Sequence, residues 1–388
     1  MKIGNKSIAR ALMAMEIVIS LVGSSDVLSN YDGIITIIQM GILGLLLIEI
    51  LYSISIKSSL GVDEFICSLF IAYIFLSAIW SENLQIYTHS LNCLYVAVAF
   101  IIYIINKRYG NKQFDSVLMK IFRVILWIDF GVVAYQVLRL NINSDFSNGI
   151  FGSTHYYNGV QGLFCIVCCC YSLYLRFLEK EDEKIFISDI LICCLICAIS
   201  EIKTFFFMLL LILLLYIVFI KKIERSVFKK IIVVTGIVLI IVVAFSILNV
   251  YYGQNTVVFS NKKLMFQYLG YRNNGYGKGS RFGDIQALFD NDLKTILIGK
   301  GFSEGMMSSV YGMASLLHSV GVLGGIMLGL FFITNIFAAK NKGKFNFWFA
   351  VMCSVQCIMA EIVWAGIFGN IVSFFSIVIF AMITRRES

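Results

Sequence analysis

The chain has no proline and little charge: Asp, Glu, Lys and Arg make up only 14% of its 388 residues. A soluble domain carries about 25% charge, so an ordinary globular fold is excluded from the start. Without proline no helix is kinked by a missing amide, and any break must come from glycine or from a buried polar group. Cysteine is absent from the connections. All 11 (Cys67, Cys93, Cys165, Cys168, Cys169, Cys170, Cys193, Cys194, Cys197, Cys353 and Cys357) fall inside apolar blocks, which argues against an oxidised loop framework. Cys165-x-x-Cys168 and Cys194-x-x-Cys197 have metal or redox spacing on helices expected to be neighbours. Free cysteine also packs as a small hydrophobe, and packing is the expectation here. No cleavable leader is expected either, since Glu16 interrupts the first apolar block and no small-residue site follows it. Nor is there an internal repeat or a matching pair of interrupted helices, which weighs against an inverted-repeat transporter.

Apolar residues make up 59% of the chain and the mean hydropathy is +0.87. They lie in uninterrupted blocks of helix length, and a bilayer core needs roughly 20 such residues per span. The blocks run over 8–23, 33–56, 65–80, 85–105, 117–139, 156–178, 185–200, 203–220, 230–250, 310–338, 345–361 and 363–383. The pattern predicts an all-α polytopic membrane protein, one integral domain over 1–388, with about 12 transmembrane helices. The net charge of +8 is spread over the block ends rather than gathered in a patch, so it reads as topology and implies no nucleic-acid partner. With the N-terminus cytoplasmic, Lys57, Lys107, Arg108, Arg176, Lys221, Lys340 and Arg385 all fall inside, whereas the short outer connections hold only Arg139 and Lys203. An even number of spans puts the C-terminus inside as well.

One connection departs from this pattern. Residues 251–309 form a long outer segment that contains Lys262, Lys263, Arg272, Lys278, Arg281, Lys294 and Lys300. Long loops are exempt from the charge rule, and a structureless loop of this length is functional or disordered. Apolar anchors (Phe259, Leu264, Phe266, Tyr268, Leu269), the run Gly270-Tyr-Arg-Asn-Asn-Gly-Tyr-Gly-Lys-Gly279 and an amphipathic stretch over 280–290 predict a folded cap. Its glycines let backbone amides approach an anion, and Arg272, Lys278 and Arg281 can bind phosphate oxygens. A pyrophosphate site and a merely solvated loop both fit. Further ionisable or polar groups collect on the same face: Lys203 after Ser200-Glu201, His318 after the cap, Glu361 beside Trp364, and His155 and Asn158 at a helix start. Ionisable groups at membrane depth are costly and therefore functional candidates. Glu16, Glu49 and Asp129 are scattered and receive no role, and Arg123 is expected to snorkel.

Several stretches, taken in order, resemble the O-antigen polymerase (Wzy) and O-antigen ligase superfamily of bacterial envelope glycosyltransferases. They are Phe151-Gly-Ser-Thr-His-Tyr-Tyr-Asn158, Ser200-Glu-Ile-Lys-Thr204, Gly279-Ser-Arg-Phe-Gly-Asp-Ile-Gln-Ala-Leu288, Ile298-Gly-Lys-Gly-Phe302 and Leu317-His-Ser-Val-Gly-Val-Leu-Gly-Gly325. The resemblance covers residues 150–380. It implies a GT-C-like bundle in the inner membrane with one large periplasmic loop. The implied reaction moves a glycan from undecaprenyl pyrophosphate to the next lipid-linked repeat unit, during O-antigen or capsular polysaccharide synthesis. It implies Arg281, His318 and Glu361 as catalytic groups and Arg272, Lys278, Lys203, His155, Asn158 and Glu304 as substrate-binding ones. Expected partners are the lipid-linked oligosaccharide, the bilayer, and a chain-length regulator and flippase of the same pathway. No cofactor is implied, and no carboxylate cluster stands ready for a metal. A ligase using the same donor remains the alternative, although His318-Ser319 suits it less well. A lipid-linked oligosaccharide flippase or transporter is the alternative of another class, against which the cap argues.

Overall fold

The computed structural model describes residues 5–23, 32–57, 60–81, 84–140, 142, 147–152, 158–178, 180–221, 292–301, 312–363 and 373–385. Among them the protein is all-helical, with no strand. In chain order the helices are α1 (Asn5–Gly23), α2 (Asp32–Lys57), α3 (Val62–Leu76), α4 (Ile86–Tyr109), α5 (Lys112–Leu138) and α6 (Asn158–Leu178). They continue with α7 (Glu183–Ile199), α8 (Lys203–Leu215), α9 (Leu293–Ile298), α10 (Gly312–Lys340), α11 (Lys344–Val363) and α12 (Ser373–Thr384). Short 3-10 turns extend α3 over Ser77–Ile79 and follow α5 at Gly149–Phe151, and a π-helical turn, Tyr216–Ile220, ends α8. Every block read from the sequence falls on one of these helices except 230–250. That block, and the cap apart from 292–301, lie outside the described residues.

Helix starts follow local chemistry. The Asn111 side chain accepts from Phe114 N at 2.8 Å, and Glu64 reaches back to Gly61 N at 2.9 Å ahead of α3, satisfying amides that the first turn leaves unpaired. Among the described residues, four helical stretches are long and apolar enough to cross a bilayer: Gly33–Tyr52, Val62–Ile79, Gly159–Leu178 and Leu317–Lys340. The protein is membrane-embedded, as its surface shows. Only 28% of the α2 stretch is buried, and Ile37, Ile48 and Leu51 face outward, 63–70% exposed. A row of exposed isoleucine and leucine is costly in water and costs nothing against lipid tails. The α6 stretch is the reverse, 89% buried, and forms the centre of the bundle. Phe177 stacks on Phe345 of α11 at 3.6 Å, Tyr174 donates to Met382 O of α12 at 3.0 Å, and Cys170 donates to Gln356 at 3.1 Å. The cysteines are free and, except for partly exposed Cys194, buried. Cys193 Sγ lies 3.5 Å from Cys165 O, so α6 and α7 do pack as neighbours.

The ion pairs among the described residues gather at one end of the bundle. Lys107 and Arg108 at the end of α4 pair with Asp63 and Glu64 at the start of α3. Arg385, just past α12, pairs with Asp115 in the first turn of α5 at 2.9 Å and reaches Asn106 of α4 at 2.7 Å. At the same end Glu183 of α7 meets Arg176 of α6 and Lys221 after α8. Tyr103 of α4 donates to Asn335 of α10 at 2.8 Å one layer deeper and also contacts Asp63 and Thr384. Arg123 departs from expectation. Instead of snorkelling, its guanidinium reaches Glu181 at 2.7 and 2.8 Å and Asp189 at 3.0 Å. Two carboxylates hold it between α5 and α7, because a forked guanidinium inside a bundle is far better satisfied by acids than by a stretch to the interface.

Candidate functional site

The opposite end of the bundle is built from irregular backbone. Buried backbone is tolerated only where its amides and carbonyls find partners inside the protein, and two structures meet that demand here.

The first is the turn 147–152 between α5 and α6. It is folded inward: Ser147, Asn148 and Phe151 are 0% exposed, and Phe151 meets Phe164 of α6 edge-on at 5.7 Å. Gln136 and Asp129, seven residues apart and so on one face of α5, hold its backbone. Gln136 accepts from Gly149 N at 2.9 Å and donates to Gly149 O at 3.0 Å and Gly152 O at 3.3 Å. Asp129 accepts from Ile150 N at 2.9 Å with one oxygen and from the Gln161 amide of α6 at 3.0 Å with the other. Ser200, in the tight α7–α8 turn, donates to Ser147 O at 2.6 Å. Gly149, at φ +60, must be glycine, because a Cβ there would run into the Asp129 carboxylate.

The second structure is the stretch 292–301, the described part of the segment expected to form a cap. Helix α9, capped by Asp292, ends at Gly299, where the chain crosses α10 at a break. Gly321 has φ 62 and ψ −173 inside α10, so the break comes from glycine, one of the two causes open to a chain without proline. Across it Lys300 N donates to His318 O at 2.8 Å and Gly301 N to Ser319 O at 3.0 Å. Tyr73 of α3 closes the junction: its hydroxyl lies 2.8 Å from both Ile298 O and Val320 O. These bonds serve carbonyls that the broken helix would otherwise leave without partners. The Gly-x-Gly spacing of Gly299 and Gly301 thus marks the crossing, with both residues at positive φ.

The expected residues distribute as follows. His318 is partly buried in α10, one turn before the break, its carbonyl tied to the cap stem. Lys203 opens α8 two residues after the Ser200–Glu201 turn, Asn158 opens α6, and Glu361 lies in the last turn of α11. The side chains of these last three lie outside the described residues, as do Arg281, Arg272, Lys278, His155 and Glu304 entirely. The backbone at Lys203 is brought beside the 147–152 turn by Ser200, and that turn leads to Asn158. His318 stands at a separate junction, between α3 and α10. Sequence reading missed Asp129, Gln136 and Tyr73. The first two carried a signal in their spacing of seven on one helix, whereas Tyr73 carried none, because its partners lie more than two hundred residues away in the chain. Among the described residues no group of His, Cys, Asp and Glu could hold a metal ion. No protein-family model matches the chain, and no curated protein matches it.

Proposed function

We propose that the chain is a membrane glycosyltransferase, an oligosaccharide repeat-unit polymerase that moves a growing glycan from undecaprenyl pyrophosphate onto the next lipid-linked repeat unit. In this reading about 12 helices cross the inner membrane, both termini are cytoplasmic and the 251–309 cap is periplasmic. The observation that carries it is the junction at Gly321, where the stem of a cation-rich cap is hydrogen-bonded to a broken helix beside His318. A cap so tied can bring its arginines to a headgroup at the bilayer surface while the lipid tail stays between helices.

The chemistry asks little of the protein. The leaving group is a pyrophosphate, and the charge that develops on it is stabilised by fixed cations, without proton transfer. Arg281 fills that role, with Arg272, Lys278 and Lys203 in support. The acceptor hydroxyl loses its proton to His318, with Glu361 and Glu304 as further bases; His155 and Asn158 contact the glycan. Arg281→Ala is expected to accumulate normally in the membrane while the surface glycan falls to a single repeat unit, read as a ladder on a gel. Normal chain lengths in that variant would remove the assignment. A ligase defect would look different: long chains would persist on the lipid carrier and fail to reach lipid A–core.

A further inference from the structure

We propose that Asp129 is a positioning residue whose hydrogen-bond geometry, and not its charge, fixes the turn from which the His155–Asn158 segment departs. The link to glycan transfer rests on the polymerase reading; the link to the turn does not.

Asp129 is 0% exposed and forms no ion pair with any described lysine, arginine or histidine. What it does is accept two hydrogen bonds, one from Ile150 N at 2.9 Å and one from the Gln161 amide at 3.0 Å. Together with Gln136 it holds three residues of the turn, Gly149 and Ile150 by their amides and Gly149 and Gly152 by their carbonyls. Both links can be kept by a carboxamide, one as acceptor and the other as donor. In Asp129→Asn the oxygen keeps the Ile150 amide, and the new NH2 group needs an acceptor where Gln161 now offers a donor. Gln161 can supply one. Its Oε1 is buried and meets no hydrogen-bond partner among the described residues, so half a turn of its amide presents that oxygen to residue 129. No donor stands where Oε1 now lies to oppose the rotated NH2 group. The site therefore tolerates loss of the charge and does not tolerate loss of the acceptor. An uncompensated charge in such a place is costly to keep, which leaves geometry as what the residue contributes.

The test compares Asp129→Asn with Asp129→Leu, which keeps the branching of the side chain but carries no polar atom. Two readouts are taken on full-length protein in lipid nanodiscs: amide hydrogen exchange over 147–158, and elongation of a purified lipid-linked repeat unit. Asp129→Asn is expected to keep the protection of the Gly149 and Ile150 amides and the turnover of the parent. Asp129→Leu is expected to lose that protection and about a hundredfold in kcat, as a misplaced group does, with KM little changed. Gln136→Met, which releases the same turn from its other anchor, gives the parallel result if Asp129→Leu fails to accumulate. Loss of activity in Asp129→Asn with protection retained would make the carboxylate a reacting group and overturn the proposal. Retained protection in Asp129→Leu or Gln136→Met would overturn it equally. Should the parent not elongate the repeat unit at all, the polymerase reading fails, while the exchange data still decide what Asp129 holds.

Discussion

A single methyl group tests the cap stem. Gly321 stands at φ +62, and a Cβ there would lie 2.5 Å from Leu297 O and Gly299 N, both backbone atoms with nowhere to move. Alanine at 321 carries about 1–2 kcal/mol of left-handed strain and roughly 1–3 kcal/mol of overpacking. Gly329, two turns along the same helix, has nothing within 4 Å of such a Cβ, and alanine there gains up to about 1 kcal/mol of helix propensity. Thermal unfolding in detergent is expected to show Gly321→Ala melting well below the parent and Gly329→Ala level with it or above. Equal midpoints for the two variants would mean that the break in α10 is not built on glycine. Tyr73 offers a second residue-scale test. One hydroxyl proton is shared between Ile298 O and Val320 O, so Tyr73→Phe strands two carbonyls at a cost of about 1–3 kcal/mol each. Exchange of the Lys300 and Gly301 amides is expected to accelerate in that variant, because those amides donate across the same junction.

The elements differ in how far a sequence can declare them. Helices α1 to α8 were legible because each is an apolar block ended by charge, and the tight turn near Ser200 was legible because two blocks met there without a connection. The turn 147–152 was not. By composition it belongs to a polar outer connection, and it is buried only because Gln136, Asp129 and Ser200, from three other places in the chain, satisfy its backbone. Arg123 was misread for a similar reason: its partners Glu181 and Asp189 sit on α7 and the segment before it, and no local pattern announces them. The segment 251–309 offered its cations in the sequence, yet the tie of 292–301 to α10 runs through main-chain atoms, which carry no residue signature. Pairing between elements also makes stability respond to pH at the charged end. The Glu183 carboxyl lies below the ordinary glutamate range, first because Lys221 hydrogen-bonds to it and next because Tyr216 does. A depressed carboxyl contributes stability that is present above its unfolded value and lost as pH falls through its folded one. Acidification from pH 7 to below about 4 is therefore expected to destabilise the parent more than Glu183→Gln, which no longer titrates there. The difference between their detergent melting curves measures the α7–α8 tie, and parallel curves would mean the ion pair holds nothing.

The whole molecule has two unlike ends. At one, Asp63, Glu64, Asp115 and Glu183 pair with Lys107, Arg108, Arg385 and Lys221; at the other lie the hydrogen-bonded 147–152 turn and, separately, the junction between 292–301 and α10. Lysine and arginine beside short connections are retained on the cytoplasmic side, so the charged end should face the cytosol and the turn-rich end the periplasm. Cysteine chemistry can decide this without disturbing the native residues, since the chain's own thiols are buried or, for Cys194, only partly exposed. Glu201 is exposed in the α7–α8 turn at the turn-rich end, and Lys180 is exposed between α6 and α7 at the charged end. A membrane-impermeant maleimide added to intact spheroplasts is expected to label Glu201→Cys and to spare Lys180→Cys until the membrane is opened. The reverse pattern would place the cap stem and His318 on the cytosolic side. A lipid-linked repeat unit presented at the periplasmic face could not reach them there, and the glycosyl-transfer reading would fall with the orientation.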